Sequence, residues 1–261
     1  VPYFIVTFTV PAALRAAFAA EPKVVIDLLF AESARALQTV AARPRHLGAE
    51  LGMVGVLHTW GRQLQLHPHI HYIVPGGGLR ADPRKGRRTR RPDWLLPAAP
   101  VAAAFQAGLE EALRAALPAW HARMPESCWR EPWVVDIRHV GSGQAAIKYL
   151  ARYVQRTAIS DERIVAIDDE HVRFRYNDSA SGETKICTLE SREFLRRYLQ
   201  HVLPPGIHRV RYFGWEHPSA KRRRRLVETL LEKIIAVVAL HPPVPHSRCC
   251  PHCEALALVC V

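Results

Sequence analysis

The side chains best suited to chemistry are histidines. His67-Pro-His69-Ile-His71 places three imidazoles at alternate positions. Side chains alternate faces along a strand, so all three project to one side. Two imidazoles at that spacing converge on a single ion. His58 lies on the preceding β-rich run, and cross-strand neighbours approach within about 5 Å, which makes it the candidate third donor. Three neutral nitrogens leave open positions for a water or a phosphate oxygen, as a catalytic ion requires. His67 reads as a support for this set or as an alternative ligand. The competing reading is a row of histidines with structural roles only.

A second group lies downstream, in Lys148-Tyr149-Leu-Ala-Arg152-Tyr153. On a helix, Tyr149 and Tyr153 are i, i+4 neighbours. Ile147, Leu150, Ala151 and Val154 form an apolar stripe centred about 130° from the midpoint of the tyrosines. That stripe predicts a buried face without the tyrosines, with Arg152 and Arg156 on the tyrosine side. Two hydroxyls flanked by guanidiniums suit a site that receives a phosphodiester. They equally suit an interfacial pair that packs and hydrogen-bonds. A phenol with a pKa of about 10 is a poor nucleophile at neutral pH. It needs a metal to polarise the phosphate it attacks, or a base to take its proton. The histidines would supply the metal, so each group completes the other.

The elements that must position these residues follow from patterning. Gly52–Trp60 and His67–Val74 read as an antiparallel hairpin around Gly61–Leu66. Pro68 cannot donate to a ladder, which predicts an edge strand or a bulge. Tyr3–Val10, Trp133–Val140, Arg163–Ile167, His171–Tyr176, Thr184–Leu189 and Ile207–Phe213 are further strands. Helices are expected over Ala12–Ala20, from Pro22 to Pro44, and over Ala98–Leu117, Gln144–Arg156, Ser191–Val202 and Leu226–Leu240. Gly76–Gly78 and the basic run after it predict an exposed loop ending near Pro97. The Pro-, His- and Cys-rich end has little propensity for regular structure. There is no steady βαβ alternation, so the fold class is α+β, a largely antiparallel sheet with packed helices.

Composition narrows the function classes. The chain has 261 residues, with 36 basic and 24 acidic side chains, for a net charge of +12. Its pI is near 9.9. A hydrophobic fraction of 49% excludes a wholly disordered chain. No apolar run approaches the roughly 20 residues of a membrane span. The basic surface draws polyanions, nucleic acid before an anionic membrane. Much of the excess sits in Arg84–Arg91, with Arg87, Arg88 and Arg90, and in Lys221–Arg225, with Arg222, Arg223 and Arg224. Each run is either a solvated face or a set of phosphate contacts. Trp60 and Trp94 are candidates for stacking on bases. Six cysteines are too few for a disulfide scaffold. Cys250 and Cys253 have the spacing of half a zinc site; the other reading is a tail with free thiols. The first residues, Val1-Pro-Tyr-Phe-Ile-Val, do not read as a signal peptide, so a reducing compartment is expected. The missing initiator Met suggests a fragment or processed product.

Several stretches together carry a family resemblance. Leu57-His-Thr-Trp-Gly61, His67-Pro-His-Ile-His71, Pro75-Gly-Gly-Gly-Leu79, and Tyr149-Leu-Ala-Arg-Tyr153 followed by Ala158-Ile-Ser160 closely resemble the two-tyrosine HUH transposases of rolling-circle bacterial insertion sequences. Tyr3–Val10 and Arg209–Phe213 extend the likeness over nearly the whole chain. The resemblance implies an HUH endonuclease-like sheet with a ferredoxin- or RRM-like core. It implies a catalytic domain over 1–215 and a basic helix with a Cys/His-rich tail over 216–261. It further implies cleavage and joining of single-stranded DNA at transposon ends, through a 5′-phosphotyrosine and a free 3′-hydroxyl. No ATP is then needed, in keeping with the missing phosphate-binding loop. Carried over by position, His69 and His71 are metal ligands, Tyr149 and Tyr153 are nucleophiles, and His58 fits the third ligand. The implied ion is Mg²⁺ or Mn²⁺, while imidazole chemistry alone leans to Zn²⁺ or Mn²⁺. A bacterial cytoplasmic, nucleoid-associated location is implied too. Relatives carry a Cys-rich N-terminal region, so the chain is expected to be shortened at that end. Two other readings remain: a DNA-binding transposase remnant without catalysis, and a His-rich metallohydrolase that uses a metal-bound water.

Overall fold

Alternation along one strand pair organises the fold. In the computed structural model, which describes residues 1–80, 82, 86–89, 91–154, 158–178, 180–230, 248–249 and 256–258, strand β1 is Tyr3–Thr9. Helices α1 (Leu14–Ala20) and α2 (Pro22–Ala42) follow. Then come β2 (Met53–Trp60) and β3 (Leu66–Pro75), the expected hairpin. A small hairpin, β4 (Gly77–Leu79) and β5 (Gly86–Arg88), precedes helix α3 (Ala98–Ala116) and the short helices α4 (Pro118–His121) and α5 (Ser127–Arg130). Strand β6 (Val135–Gly141) leads into helix α6 (Gly143–Val154). Strands β7 (Ile164–Ile167), β8 (His171–Asn177) and β9 (Thr184–Glu190) form a separate three-stranded sheet, followed by helix α7 (Ser191–Leu199). Strand β10 (Val210–Phe213), helix α8 (Lys221–Leu230) and the short pair β11 (Arg248–Cys249) and β12 (Leu256–Leu258) complete the order.

The main sheet has five antiparallel strands in the order β10-β2-β3-β1-β6. The fold is therefore α+β, as expected. Phe4, Val6 and Phe8 of β1 and Ile70, Tyr72 and Val74 of β3 face one side and are buried there against α2 and α3. Phe8 meets Phe105 edge-on at 4.9 Å and Tyr72 at 5.7 Å. Tyr72 is enclosed in this layer and donates to the Phe30 carbonyl at 3.2 Å, and its hydroxyl lies 2.8 Å from Ser33 Oγ. That core leaves the other set of alternate residues, Ile5, Thr7, Thr9, His69, His71 and Ile73, on the opposite face.

Three expectations need correction, and a fourth is decided between its alternatives. Gly76–Gly78 and the first basic run do not form a plain exposed loop; part of the run is strand β5, paired to β4. Gly78 makes this possible, because a Cβ there would lie 2.3 Å from the Glu50 carbonyl oxygen. The last described helix begins at Lys221, not Leu226, and takes in the second basic run. Cations at a helix N-terminus oppose its dipole; here Glu50 and Glu216 counter them, on Arg223 and Arg224. The C-terminal stretch, expected to be irregular, contains the pair β11–β12, whose Leu256-Ala-Leu258 is a short apolar strand. Of the two expected alternatives for Pro68, an edge or a bulge, the bulge holds, and Pro68 lies in a central strand. It is tolerated because pairing with β1 ends at Thr9↔His69 and the register with β2 shifts between His58 and Trp60.

Candidate metal centre and cleft

His58 stands directly opposite His69 in the β2–β3 ladder, and His71 stands opposite both Val56 and Thr7. The ladder thus brings three imidazoles onto one face. Their ring centroids are 4.8–5.3 Å apart. One ring nitrogen from each of His58, His69 and His71 lies within 4.8 Å of the other two. His58 is 2% exposed, and the other two are half-buried.

The protonation of His69 suits metal binding. Burial pushes the His69 imidazole down to about 4, so it is neutral at pH 7. His69 Nδ1 lies 2.7 Å from the His67 carbonyl oxygen and must donate to it, which leaves the Nε2 lone pair for an ion. His71 Nδ1 lies 3.0 Å from Thr7 Oγ1. A partner on the far nitrogen fixes the ring's orientation. His67 contributes its carbonyl and a ring 5.2 Å from that of His69, outside the converging trio. Its own pKa is lowered by burial and then by Arg15. Three converging imidazole donors with room beside them fit a divalent transition ion with open positions.

A second layer of contacts braces His58. The Trp60 ring stacks on His58 at 4.8 Å and 17°, and the Arg209 guanidinium lies 5.4 Å from the centre of the same indole. His201 meets Trp60 edge-on at 6.0 Å. His201 Nε2 donates to the Leu64 carbonyl at 3.0 Å, and burial lowers its pKa. Its Nδ1 therefore accepts from the Thr59 hydroxyl at 3.1 Å. Trp60 is consequently a packed residue, while Trp94 is the exposed one of the two tryptophans proposed for base stacking.

Helix α6 lies on the histidine face of the sheet. Among its described side chains Ala146 is buried and packs on Ile5 and Ile73, whereas Ile147 is 66% exposed and Ala151 is exposed. The expected buried stripe is thus wrong by about one residue's rotation. The small Ala146 side chain lets the helix approach the sheet where Ile147 would not. At about 100° per residue, positions 149 and 153 fall within about 60° of Ala146, on the side turned to the sheet. The chain re-emerges at Ala158 and Ile159, which pack with Leu64 and Phe174. Ile73 and Leu64 lie at opposite ends of the histidine run. Helix α6 thus starts at one end of the histidine run, and Ala158 and Ile159 pack at the other. The side chains of Tyr149, Arg152 and Tyr153 lie outside the described residues, as do Arg90, Arg156, Cys250 and Cys253 entirely.

Between the histidines and the β7–β9 sheet lies a cleft of about 640 Å³. Its far wall includes Arg62, Arg163, Arg175, Tyr176 and Asn177, and no carboxylate is among its described lining residues. A larger hollow, about 800 Å³, runs along β10 and α2, but its carboxylates Asp27 and Glu50 are paired with Arg211 and Arg223. Arg87, Arg88 and Arg222 reach neither cleft wall. Arg223 and Arg224 are engaged with Glu50 and Glu216, and Arg222 has no such partner among the described residues. Patterning pointed to neither Thr7 nor the arginine wall. Thr7 was findable by counting residues across a β1–β3 register; the wall depends on a loop-to-sheet contact with no periodic signal.

Comparison with known proteins places the chain in a family. A family described as "Putative transposase" matches residues 52–224, a span that holds the histidines and both tyrosines. A protein of Sinorhizobium fredii named "Putative transposase y4qJ" is 39% identical over 231 residues, covering 82% of this chain and 58% of that protein. "Transposase for insertion sequence element IS801" of Pseudomonas savastanoi pv. phaseolicola is 28% identical over 207 residues, 73% of this chain and 48% of its own length. The chain spans about half the length of these curated relatives. No solved structure matches it. Among the described residues no helix is long and apolar enough to cross a membrane. With the family match extending over well more than half of its residues, the chain belongs to the putative transposase family.

Proposed function

We propose that this chain is a transposase that cuts and rejoins single-stranded DNA at transposon ends, using Tyr149 and Tyr153 as nucleophiles beside a divalent ion held by His58, His69 and His71. The observation that carries this reading is the convergence of three imidazole nitrogens within 4.8 Å on the sheet face that α6 crosses. The relatives' names support transposition, and that of the IS801 protein supports an insertion-sequence setting.

The bound ion, Mg²⁺ or Mn²⁺, would polarise the scissile phosphate and neutralise charge as it develops. The tyrosine phenol gives up its proton and its oxygen forms a bond to phosphorus. The bond from phosphorus to the 3′ oxygen breaks, and that oxygen takes up a proton to become a free 3′-hydroxyl. The strand's 5′ phosphate is then esterified to tyrosine. One phosphodiester has replaced another, so rejoining needs no ATP. Burial keeps His69 neutral as a donor, and Thr7 and the His67 carbonyl orient the rings. The basic residues Arg87, Arg88, Arg90, Arg152, Arg156, Arg222, Arg223 and Arg224 belong to the strand-holding surface in this reading, with Arg223 and Arg224 first anchoring α8. Cys250 and Cys253 would add a structural Zn²⁺ site in the tail.

The test is a paired incubation with Mn²⁺ and an end-labelled oligonucleotide from an insertion-sequence end. The wild-type chain should yield a protein–DNA adduct that survives denaturation, and Tyr149→Phe/Tyr153→Phe should yield none. Strand cleavage that persists in the double variant would replace this reading with the metal-water hydrolase.

A further inference from the structure

We propose that the cleft wall opposite the histidines, Arg62, Arg175 and Asn177 with Arg163 behind them, is a binding site for the phosphodiester backbone of the DNA strand beside the scissile phosphate. This rests on the reading of the histidine face as the place where a strand is cut.

The argument starts from donors and acceptors. Arg62 Nη1 donates to the Asn177 carbonyl at 2.6 Å. Arg163 donates from Nε to the Arg175 carbonyl and from Nη2 to the Arg62 carbonyl, each at 2.8 Å. All three acceptors are neutral main-chain carbonyls, so these bonds order the side chains, and the one from Arg62 leaves its charge uncancelled. They also tie the β2–β3 loop to the β7–β9 sheet, which makes the wall rigid. A guanidinium carries five donors, so Arg62 keeps most of its own. Arg175 is exposed, and no contact ties up its guanidinium among the described residues. Asn177 Oδ1 accepts from the Thr184 hydroxyl at 3.0 Å, which leaves the amide N–H groups to donate to a ligand. The wall is therefore rich in donors, short of acceptors and positively charged. No Asp or Glu stands among the described residues lining the cleft. Its complement is an anion that only accepts hydrogen bonds. A phosphodiester meets that description at every nucleotide, whereas a base edge meets it only where guanine presents N7 and O6. The wall faces the histidines across one cleft of about 640 Å³, so a strand with one phosphate at the histidines brings a neighbouring phosphate to the arginines.

The test is binding of a fluorescent single-stranded oligonucleotide to the full chain in EDTA, by anisotropy, across a chloride series. Arg62→Gln/Arg175→Gln should weaken binding and reduce the slope of log K against log salt by about 1.4, at about 0.7 for each phosphate no longer neutralised. Arg175→Gln alone, which breaks no bond among the described residues, should reduce it by about 0.7. Mn²⁺ affinity and the circular dichroism spectrum should stay at wild-type values in both variants. Unchanged slopes would overturn the proposal. So would displacement of the oligonucleotide by millimolar inorganic phosphate at matched ionic strength, which would mark a free-anion site. The outcome is independent of cleavage: a chain with the predicted slopes that forms no tyrosine adduct would refute the transesterase and keep the wall.

Discussion

Thr7→Val isolates the orientation of one imidazole from the rest of the site. Thr7 is paired with His71 across β1 and β3, and its Oγ1 lies 3.0 Å from His71 Nδ1. Binding an ion through Nε2 requires Nδ1 to keep its proton and donate it to Thr7. Valine preserves the β-branched shape on the strand but cannot accept that proton. The net worth of such a bond to the fold is about 1 kcal/mol, which for a chain of this size lowers Tm by about 2–4 °C. Its effect on the ion should be larger relative to its size. Removing a group that orients a metal-bound histidine costs about 10–100-fold in metal affinity, or about 1.4–2.7 kcal/mol. Calorimetric titration of Mn²⁺ into wild type, Thr7→Val and Thr7→Ser measures this directly. Serine retains the hydroxyl and should recover most of the affinity. Equal Mn²⁺ affinity in all three chains would refute the reasoning, because Thr7 would then serve the sheet and not the ion. A fall in Tm without a fall in affinity would refute it in the same way.

Other expectations are separate from this one. His69→Ala removes a donor and should abolish strand cleavage while leaving oligonucleotide affinity within about twofold in EDTA; parallel loss of both in gel cleavage and anisotropy assays would make the histidines structural. Arg222→Ala/Arg225→Ala should flatten the salt slope by up to about 1.4 for a single strand, and an unchanged slope would return these side chains to plain solvated positions. Gly214→Ala should cost at least about 2 kcal/mol in urea unfolding, because Gly214 has φ +62° and a Cβ there would fall 1.8 Å from the Leu51 carbonyl oxygen. A wild-type midpoint for that variant would contradict the packing described at the β2 end of the sheet.

What the sequence made legible were the features with a period. His-Pro-His-Ile-His on a strand needs only alternation to place its rings together, and His58 needs only a hairpin register. The α+β class and most strands followed from the same two periods. Helix α6 was placed correctly along the chain but misread in rotation. Its apolar residues suggested one buried side, while the contact with Ile5 and Ile73 selects Ala146, a small apolar side chain near the helix start. Hydrophobicity ranks Ile147 above alanine; close approach of a helix to a sheet ranks them the other way. The basic runs were visible as charge, but their geometry was not. Glu50, far away in sequence, decides that Arg223 holds α8 to the body of the protein. The wall of Arg62, Arg163 and Arg175 comes from three separate segments tied by main-chain carbonyls, and such contacts leave no local pattern.

The most direct measurement of the central claim is the chemical identity of the bond to DNA. Wild-type chain is incubated with Mn²⁺ and a single-stranded oligonucleotide from the relevant element's ends, then digested and mapped by mass spectrometry. The account predicts a nucleotide phosphate ester on the peptide containing Tyr149 and Tyr153, with a free 3′-hydroxyl on the released strand. Cleaved DNA with no modified peptide, or an ester on any residue outside that pair, would contradict it.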